Sequence, residues 1–337
     1  MASSPARKRP RRNGDISIVD VAHKARVSIG TVSRVFNHHP SVAPELRQRV
    51  LNASRQLRFV PRLPHRCIGV VTGRHSPALP IGYVSVMTSL ISRYLASQRY
   101  AIELIDIENL DLAAQAHIEG VIGVVFDDRL TRLRKIANLP LLTINHPLAD
   151  QGIHSISTDH YQQAVLATRH LVQRGHRRIA LLQIEPDEWG SRERRRGYLD
   201  VLREHGIEPD ESLIHFTLQQ PVYDVTTRVV RRGATAILNF SEDASLEVIH
   251  LLSNILGLRI GKDISMISLE DLPIYHYLTP PQTTIRQPLE DLARLAVEHM
   301  LQLTEAIRAG SALPQTINLS IPSQLIERDS VATIPAD

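Results

Sequence analysis

From residue 67 onward, short apolar runs alternate with amphipathic segments, and this alternation restricts the fold more than any other feature of the sequence. The predicted strands are 68–72, 102–105, 120–126, 141–144, 178–184, 213–217, 235–240, 264–269 and 315–321. The predicted helices are 83–98, 129–137, 160–174, 191–205, 222–232, 243–256 and 288–309. Such alternation is typical of parallel sheets covered by helices on both faces, and the run is long enough for two doubly wound subdomains. The short interval between the second and third strands predicts a truncated helix there.

Residues 16–58 show a different pattern, that of three short helices. Ser17 can cap the first helix, with Asp20 three residues later in its positive first turn. Ser28 can cap a second helix after a short break, and Pro44 suits the first turn of a third. Two short helices joined by a tight turn and followed by a packing helix predict an all-α helix-turn-helix head.

Charge is divided unevenly between this head and the rest of the chain. Residues 1–66 hold 14 Lys or Arg against 3 Asp or Glu, a net charge of +11, and the remainder holds 25 against 32, a net charge of −7. Residues 1–14 carry five positive charges, two prolines and a glycine, so we expect them to be disordered. A basic head on an acidic body indicates a polyanionic partner at the head, the alternative being a solvated charged tail.

In a helix-turn-helix unit the second helix enters the major groove of double-stranded DNA, and its first residues meet the base edges. Arg34 could donate two hydrogen bonds to guanine, or contact a phosphate instead, and Ile29 could contact a thymine methyl group. One head covers only a half-site, so the sequence predicts a homodimer on the operator. The residues expected to be exposed are Ile29, Gly30, Thr31, Ser33 and Arg34.

The stretch IVDVAHKARVSIGTVSRVFN (18–37) closely resembles the DNA-binding head of the lac repressor/purine repressor (LacI/GalR) family. The motifs HLVQRGHRRIA (170–180), RRRGY (194–198) and LTPPQTTIRQP (278–288) resemble the periplasmic-binding-protein-like body of that family. The resemblance implies a transcriptional regulator, most simply a repressor, whose operator affinity depends on a small-molecule effector. It places Ile29, Gly30 and Arg34 at specificity positions. It also places Ser28, Thr31, Ser33 and Asn37 at positions that contact phosphate or cap a helix. Ser17, the predicted cap of the first helix, completes the expected DNA-binding residues.

Two features depart from the family pattern. Arg26 stands where the family usually has Gly or Asn, and a positive φ at this position would cost an arginine about 1 kcal/mol. The segment 59–66 is shorter than the family's hinge, lacks its Ala-Arg-x-Leu pattern and contains Pro64, which would interrupt a helix. Leu63 could still act as a wedge in the minor groove, but we prefer a plain linker.

The ends of the predicted strands carry polar and aromatic side chains suited to holding an effector between the subdomains. Trp189, the single tryptophan, is predicted on a loop where it could stack on a ring or simply pack. By resemblance, Arg192 and Arg194 match ligand-binding arginines and Glu270 replaces an aspartate, although Arg194 could instead be a structural ion-pair partner. The predicted effector-binding residues are His75, Tyr83, Asn145, Trp189, Arg192, Arg194, Asn239, Glu242, Asp243, Glu270 and Gln287.

The sequence also argues against several classes of protein. It has no apolar run long enough to cross a membrane, no phosphate-binding loop, nucleophile elbow or zinc motif, and one cysteine, Cys67. We therefore expect a cytoplasmic, nucleoid-associated regulator without enzymatic activity, cofactor or metal. Fold analogy favours a sugar effector. The alternatives are a purine-like corepressor and a regulator that has lost its effector response.

The predicted domains are a disordered tail (1–14), the head (15–58), a linker (59–66) and an effector-binding domain (67–337). Within that domain, the N-subdomain is expected at about 67–150 and 280–312. The C-subdomain is expected at about 151–279 and 313–333.

Overall fold

The computed structural model describes residues 16–36, 41–59, 66–73 and 82–335. Several predictions fall outside these ranges: the disordered tail, the linker residues Leu63 and Pro64, and the site residues Asn37 and His75.

Three helices form the head, and side-chain caps begin the first two of them. Their bounds are α1 (Ile18–Ala25), α2 (Ile29–Phe36) and α3 (Pro44–Leu57). Ser17 and Asp20 make a capping box, in which the Asp20 carboxylate accepts from the Ser17 backbone N–H at 2.7 Å. Ser28 Oγ accepts from the Thr31 backbone N–H at 3.1 Å. The helix starts are therefore those that the sequence predicts.

The head is held together by a small apolar core and by hydrogen bonds from α3 to the turn that follows α1. Val21, Val32 and Val50, one from each helix, are fully buried against one another. Arg26 ends α1 with φ 53° and ψ 50°, the left-handed conformation considered from the sequence. Arg49 on α3 donates to the carbonyls of Ala25 (2.7 Å) and Arg26, so it ties the third helix to this turn.

The first subdomain is a six-stranded parallel sheet in the order β11-β5-β4-β3-β1-β2. One face is covered by α4 (Tyr83–Ser97) and α10 (Leu289–Ala309). The other is covered by short pieces, which include the single-turn α5 (Leu112–Gln115) at the expected truncated helix and a 3₁₀ helix at Asp128–Lys135. The strands are β1 (Arg66–Thr72), β2 (Tyr100–Asp106), β3 (Val121–Gly123), β4 (Leu141–Ile144), β5 (His154–Thr158) and β11 (Asn318–Ile321).

The second subdomain repeats this architecture in the order β12-β10-β9-β8-β6-β7, with only β12 antiparallel. Helices α6 and α7 cover one face, and α8 and α9 the other. The strands are β6 (Ile179–Gln183), β7 (Ile214–Phe216), β8 (Ala236–Asn239), β9 (Ser265–Leu269), β10 (Thr283–Arg286) and β12 (Gln324–Ile326). The helices are α6 (His160–Gln173), α7 (Trp189–Glu204), α8 (Val222–Arg231) and α9 (Ser245–His250), the last of which continues as a π-helical turn at Leu251–Ile255.

The predicted subdomain boundaries are wrong in three places. Strand β5 pairs with β4 and β11 pairs with β5, so both lie in the first subdomain although 151–279 and 313–333 were assigned to the second. Strand β10 pairs with β9 in the second subdomain, although 280–312 was assigned to the first. The chain therefore crosses between the sheets three times, after β5, β10 and β11. Strands β5, β10 and β12 were not predicted, because short strands with polar residues lack an apolar run.

Candidate DNA-reading surface and effector cleft

Helix α2 presents a small exposed surface. Ile29 is 48% exposed, and Gly30 and Arg34 are also exposed. The Arg34 Nε donates to the Gly30 carbonyl at 3.3 Å, which holds the guanidinium along the helix. A Cβ atom added at Gly30 would meet only Ser28 Oγ, at 3.8 Å, so packing within the protein does not require glycine there. The surface is therefore accessible, and no side chain projects from it at Gly30.

The hydroxyl groups around this surface belong mainly to helix caps. Ser28 Oγ and Thr31 Oγ1 lie 2.9 Å apart, in addition to the cap bond of Ser28. Ser17 closes its capping box at the start of α1, and Ser33 is half-buried on α2. Both capped helix starts carry unsatisfied backbone N–H groups and a positive partial charge, which suit a phosphate oxygen.

A cleft separates the two sheets, and a chain of hydrogen bonds crosses it. Tyr83, the first residue of α4, donates its backbone N–H to Glu242 Oε2 of the second subdomain at 3.1 Å. Asn145, after β4, donates to the Tyr83 hydroxyl at 2.9 Å and approaches Gln287 Oε1 at 3.5 Å. Gln287 in turn donates to Glu270 at the end of β9. Five segments of the chain, from both subdomains, therefore meet in this cleft.

Arg194 on α7 is buried without an ion-pair partner. Its side chain is only 5% exposed, its Nε donates to Gln163 Oε1 at 3.0 Å, and a terminal nitrogen lies 3.0 Å from His160 Nδ1. The guanidinium also lies over the Phe240 ring, 5.6 Å from its centroid. Among the described residues Arg194 forms no ion pair within 4 Å; its hydrogen-bond partners are uncharged side chains, and the carboxylates of Glu188, Glu270 and Glu242 act on it from farther away. Burial lowers the pKa of Arg194.

Three glutamates face the same region and resist ionisation. Burial raises the pKa of Glu270 to about 8, helped by the nearby Glu242, and Glu270 is 4% exposed with a left-handed φ of 63°. Burial likewise raises the pKa of Glu242 to about 7 and raises that of Glu188. Ionisable groups with shifted pKa values in a cleft are typical of ligand sites, because a ligand can supply hydrogen bonds that the protein does not.

The remaining predicted effector residues differ in their position and in their hydrogen-bond partners. Trp189 is the first residue of α7 rather than a loop residue, and its ring contacts His160 edge-on at 5.0 Å. Asn239 is fully buried and uses its amide within its own loop, donating to the Ser241 carbonyl and to Ser245 Oγ, so it positions the loop that carries Glu242. Exposed Arg192 donates to the carbonyl of Asp187.

Asp243 is exposed next to the start of α4, with Oδ1 3.5 Å from where a Gly82 side chain would begin. The structure thus brings together seven of the predicted residues, namely Tyr83, Asn145, Arg194, Glu242, Asp243, Glu270 and Gln287.

Comparison with known proteins bears on both regions. Residues 17–62 match the family described as bacterial regulatory proteins, lacI family, and residues 168–331 match the periplasmic binding protein-like domain. The transcriptional regulator GalR of Escherichia coli (strain K12) is 29% identical over 343 residues, covering 94% of this chain and 96% of that protein. The lac repressor dimer bound to operator and the anti-inducer ONPF has a TM-score of 0.66 at 25% identity, covering 94% of this chain and 99% of that one. This chain belongs to the LacI family of transcriptional regulators.

The LacI-family fold extends to a further structure, the transcriptional regulator CelR in complex with cellobiose, at a TM-score of 0.68 and 24% identity. That match covers 94% of this chain and 99% of CelR. Within the described ranges, none of the helices has the length and apolar character needed to cross a membrane. Nor do the His, Cys, Asp and Glu side chains of those ranges include a group of three or more placed to hold a metal ion.

Sequence reasoning missed several residues of the cleft of this LacI-family protein. Thr158 closes the network by donating to Gln287 Oε1 at 2.8 Å, but it ends β5, a strand that was not predicted. His160 and Gln163 support Arg194 from α6, and Phe126 stacks on Tyr83 with ring centroids 5.7 Å apart. No sequence motif marks these residues, because their roles follow from packing between distant segments.

Proposed function

We propose that this protein represses transcription by binding a two-fold operator as a homodimer in the cytoplasm, at the nucleoid. The observation that carries the proposal is the exposed surface formed by Ile29, Gly30 and Arg34 on α2, on a folded basic head. Arg34 is assigned to bidentate recognition of a guanine and Ile29 to an apolar base contact. The capped starts of α1 and α2, with Ser17, Ser28, Thr31 and Ser33, are assigned to the phosphate backbone.

The assignment to a homodimer draws on large apolar side chains that the second subdomain leaves exposed. Subunit interfaces commonly bury such side chains. The related lac repressor structure is a dimer, and two heads are needed to cover two half-sites. The side chains concerned, each between 44% and 82% exposed, are Leu218, Tyr223, Ile255, Ile274 and Tyr277.

We assign the cleft to a small polyhydroxylated effector, a sugar. Sugar hydroxyl groups both donate and accept, so they can satisfy a buried guanidinium and a buried carboxyl group at once, here those of Arg194 and Glu270. Trp189 offers a ring edge or face at the start of α7. The related CelR structure contains cellobiose, which favours a sugar over the purine-like alternative.

Selection of duplexes from a random library by the full-length protein tests the DNA-binding proposal. We expect a two-fold consensus, and Arg34→Ala should lower affinity for it by about 10- to 100-fold per half-site contact while flattening the preference at one base pair. Lys24→Ala, an exposed basic residue on α1, is the matched control and should weaken selected and random DNA alike. If Arg34→Ala discriminated between selected and random duplexes as the parent does, base readout by Arg34 would be wrong.

Mass spectrometry of ligands that co-purify, followed by thermal melts with sugars and nucleobases, tests the effector proposal. A ligand at about 100 times its Kd stabilises the folded protein by about 2.7 kcal/mol, which is a shift of about 5 to 10 °C for a domain of this size. We expect a sugar to produce this shift and to change the affinity for the selected operator. Protection by nucleobases alone would favour a corepressor of that class, and no protection would favour a regulator without effector response.

A further inference from the structure

The third helix of the head contacts the first subdomain through one arginine. The Arg55 guanidinium on α3 donates to the carbonyl oxygens of Ala113 (3.0 Å), Ala114 (3.0 Å) and Ala116 (2.9 Å). These carbonyls lie at the end of the single-turn helix α5, where helical carbonyls lack a partner within the helix. Arg55 therefore satisfies three acceptors of the effector-binding domain with one side chain of the head.

The environment of Arg55 is that of a buried contact rather than a surface ion pair. Burial lowers its pKa to about 10. No carboxylate among the residues that the structure describes lies within 4 Å of its guanidinium, so the three carbonyls compensate for its lost hydration. Lysine could not replace it, because a single ammonium group lacks the planar fork that reaches several carbonyls together.

Two further contacts join the head to the first subdomain. Asn138, between β3 and β4, donates its side-chain N–H to the Arg55 backbone carbonyl at 2.7 Å. Phe36, the last residue of α2, contacts the His117 ring edge-on with centroids 5.2 Å apart. The contact thus includes the DNA-reading helix itself, not only the helix behind it.

Docking leaves the DNA-reading surface accessible. Ile29, at the start of α2, and Arg34, in its last turn, remain exposed, whereas Phe36 is buried. Only six residues, 60–65, separate the head from the start of β1, so the two partners of this contact are held at a high local concentration. A docked head can therefore read DNA while its orientation is set by the first subdomain.

We propose that Arg55 is a positioning residue, which fixes the orientation of the DNA-reading head on the first subdomain and so sets the spacing between the two heads of a dimer. The proposal rests on the proposed function for its consequence at the operator, but the docking itself requires no DNA. It identifies α5, Asn138 and His117 as the surface through which a change in the first subdomain reaches the head.

The first test measures head motion without DNA. Backbone ¹⁵N relaxation of the full-length protein should give one rotational correlation time for the head and the effector-binding domain. In Arg55→Met, which keeps an apolar stem but no donor, the head should tumble at least about twofold faster than the body, since the contact that fixes its orientation has lost its three hydrogen bonds. Asn138→Gly, compatible with φ 54° at that position and located outside the head, should produce a smaller change in the same direction.

The second test measures tolerance of half-site spacing on selected duplexes. The parent should lose about tenfold in affinity for each base pair inserted between half-sites, whereas Arg55→Met should lose less than about threefold, because freed heads can adapt. Arg203→Met, an exposed arginine on α7, is the matched control and should behave as the parent in both tests. Amide exchange of Val32 verifies that the variant head stays folded.

The outcomes separate the two proposals. Equal tumbling of head and body in Arg55→Met, or an unchanged spacing preference, would overturn the positioning role even if operator binding is confirmed. Faster tumbling in a protein that selects no DNA sequence would support the docking and contradict the proposed function instead.

Discussion

The DNA-reading surface and the effector cleft of this LacI-family protein are built from residues at very different separations along the chain. On α2, the contacts that shape the surface join residues three or four apart, as in Ser28 with Thr31 and Gly30 with Arg34. In the cleft, Tyr83 and Glu242 are 159 residues apart, and Asn145 and Gln287 are 142 apart. A local pattern can therefore reveal the first site, whereas the second exists only after two sheets have been assembled.

The same residue type behaves differently in the two regions. Arg34 is exposed, and its charge stays hydrated until a partner removes the water. Arg194 is 5% exposed and is already stripped of water, so the folded protein carries the cost of its desolvation before any effector binds. In the cleft, desolvation of buried ionisable groups therefore lowers the stability of the folded protein at neutral pH, whereas in the head the left-handed backbone of Arg26 does so. One substitution in the cleft and one in the head test these two effects.

The larger effect is expected in the cleft, from Glu270→Gln. Because burial raises the pKa of Glu270 to about 8, the folded protein keeps a proton that the unfolded chain releases near pH 4.5, so stability declines as pH rises between these values. Glutamine cannot ionise and can still accept from Gln287. The variant should match the parent near pH 4.5 and be more stable by about 2 to 4 kcal/mol at pH 8.5.

Thermal melts at intervals from pH 4.5 to 8.5 measure this difference. Glu290→Gln, which removes a carboxylate on the exposed side of α10, is the matched control and should follow the parent's curve. If the stability of Glu270→Gln changed with pH in parallel with that of the parent, burial would not raise the pKa of Glu270 in the folded protein.

The smaller effect is expected in the head, from Arg26→Gly. The left-handed conformation of Arg26, φ 53°, costs a side chain with a Cβ atom about 1 kcal/mol, and the backbone bonds at this turn survive the substitution. Native-state amide exchange of Val32 should slow by about fivefold, which corresponds to 1 kcal/mol.

Gln48→Gly provides the opposite control, because it places glycine on an exposed position inside α3 and should speed exchange by a similar factor. If Arg26→Gly sped up exchange as Gln48→Gly does, unfolded-state entropy would outweigh the strain at the turn.

Particular elements show how far sequence reasoning reached. The caps at Ser17 and Ser28 and the proline at Pro44 mark helices that form where predicted, since capping depends on residues one turn apart. Glu270 and Arg194 were identified through resemblance, but their burial, which is the main cause of both shifted pKa values, follows from the packing of distant segments around them. Strand β5 was missed because its HSIST sequence is mostly polar, although every residue in it is buried.

The sequence by itself determined the helices of the head, the alternation of strands and helices in the body and the separation of positive from negative charge, since each depends on residue types at short spacing. Tertiary structure alone decided which sheet receives β5, β10 and β11, which charges lose their water in the cleft, and that Arg55 rests on the carbonyls of α5. Strand pairing, desolvation and docking all depend on which distant segments meet, and no local pattern encodes that.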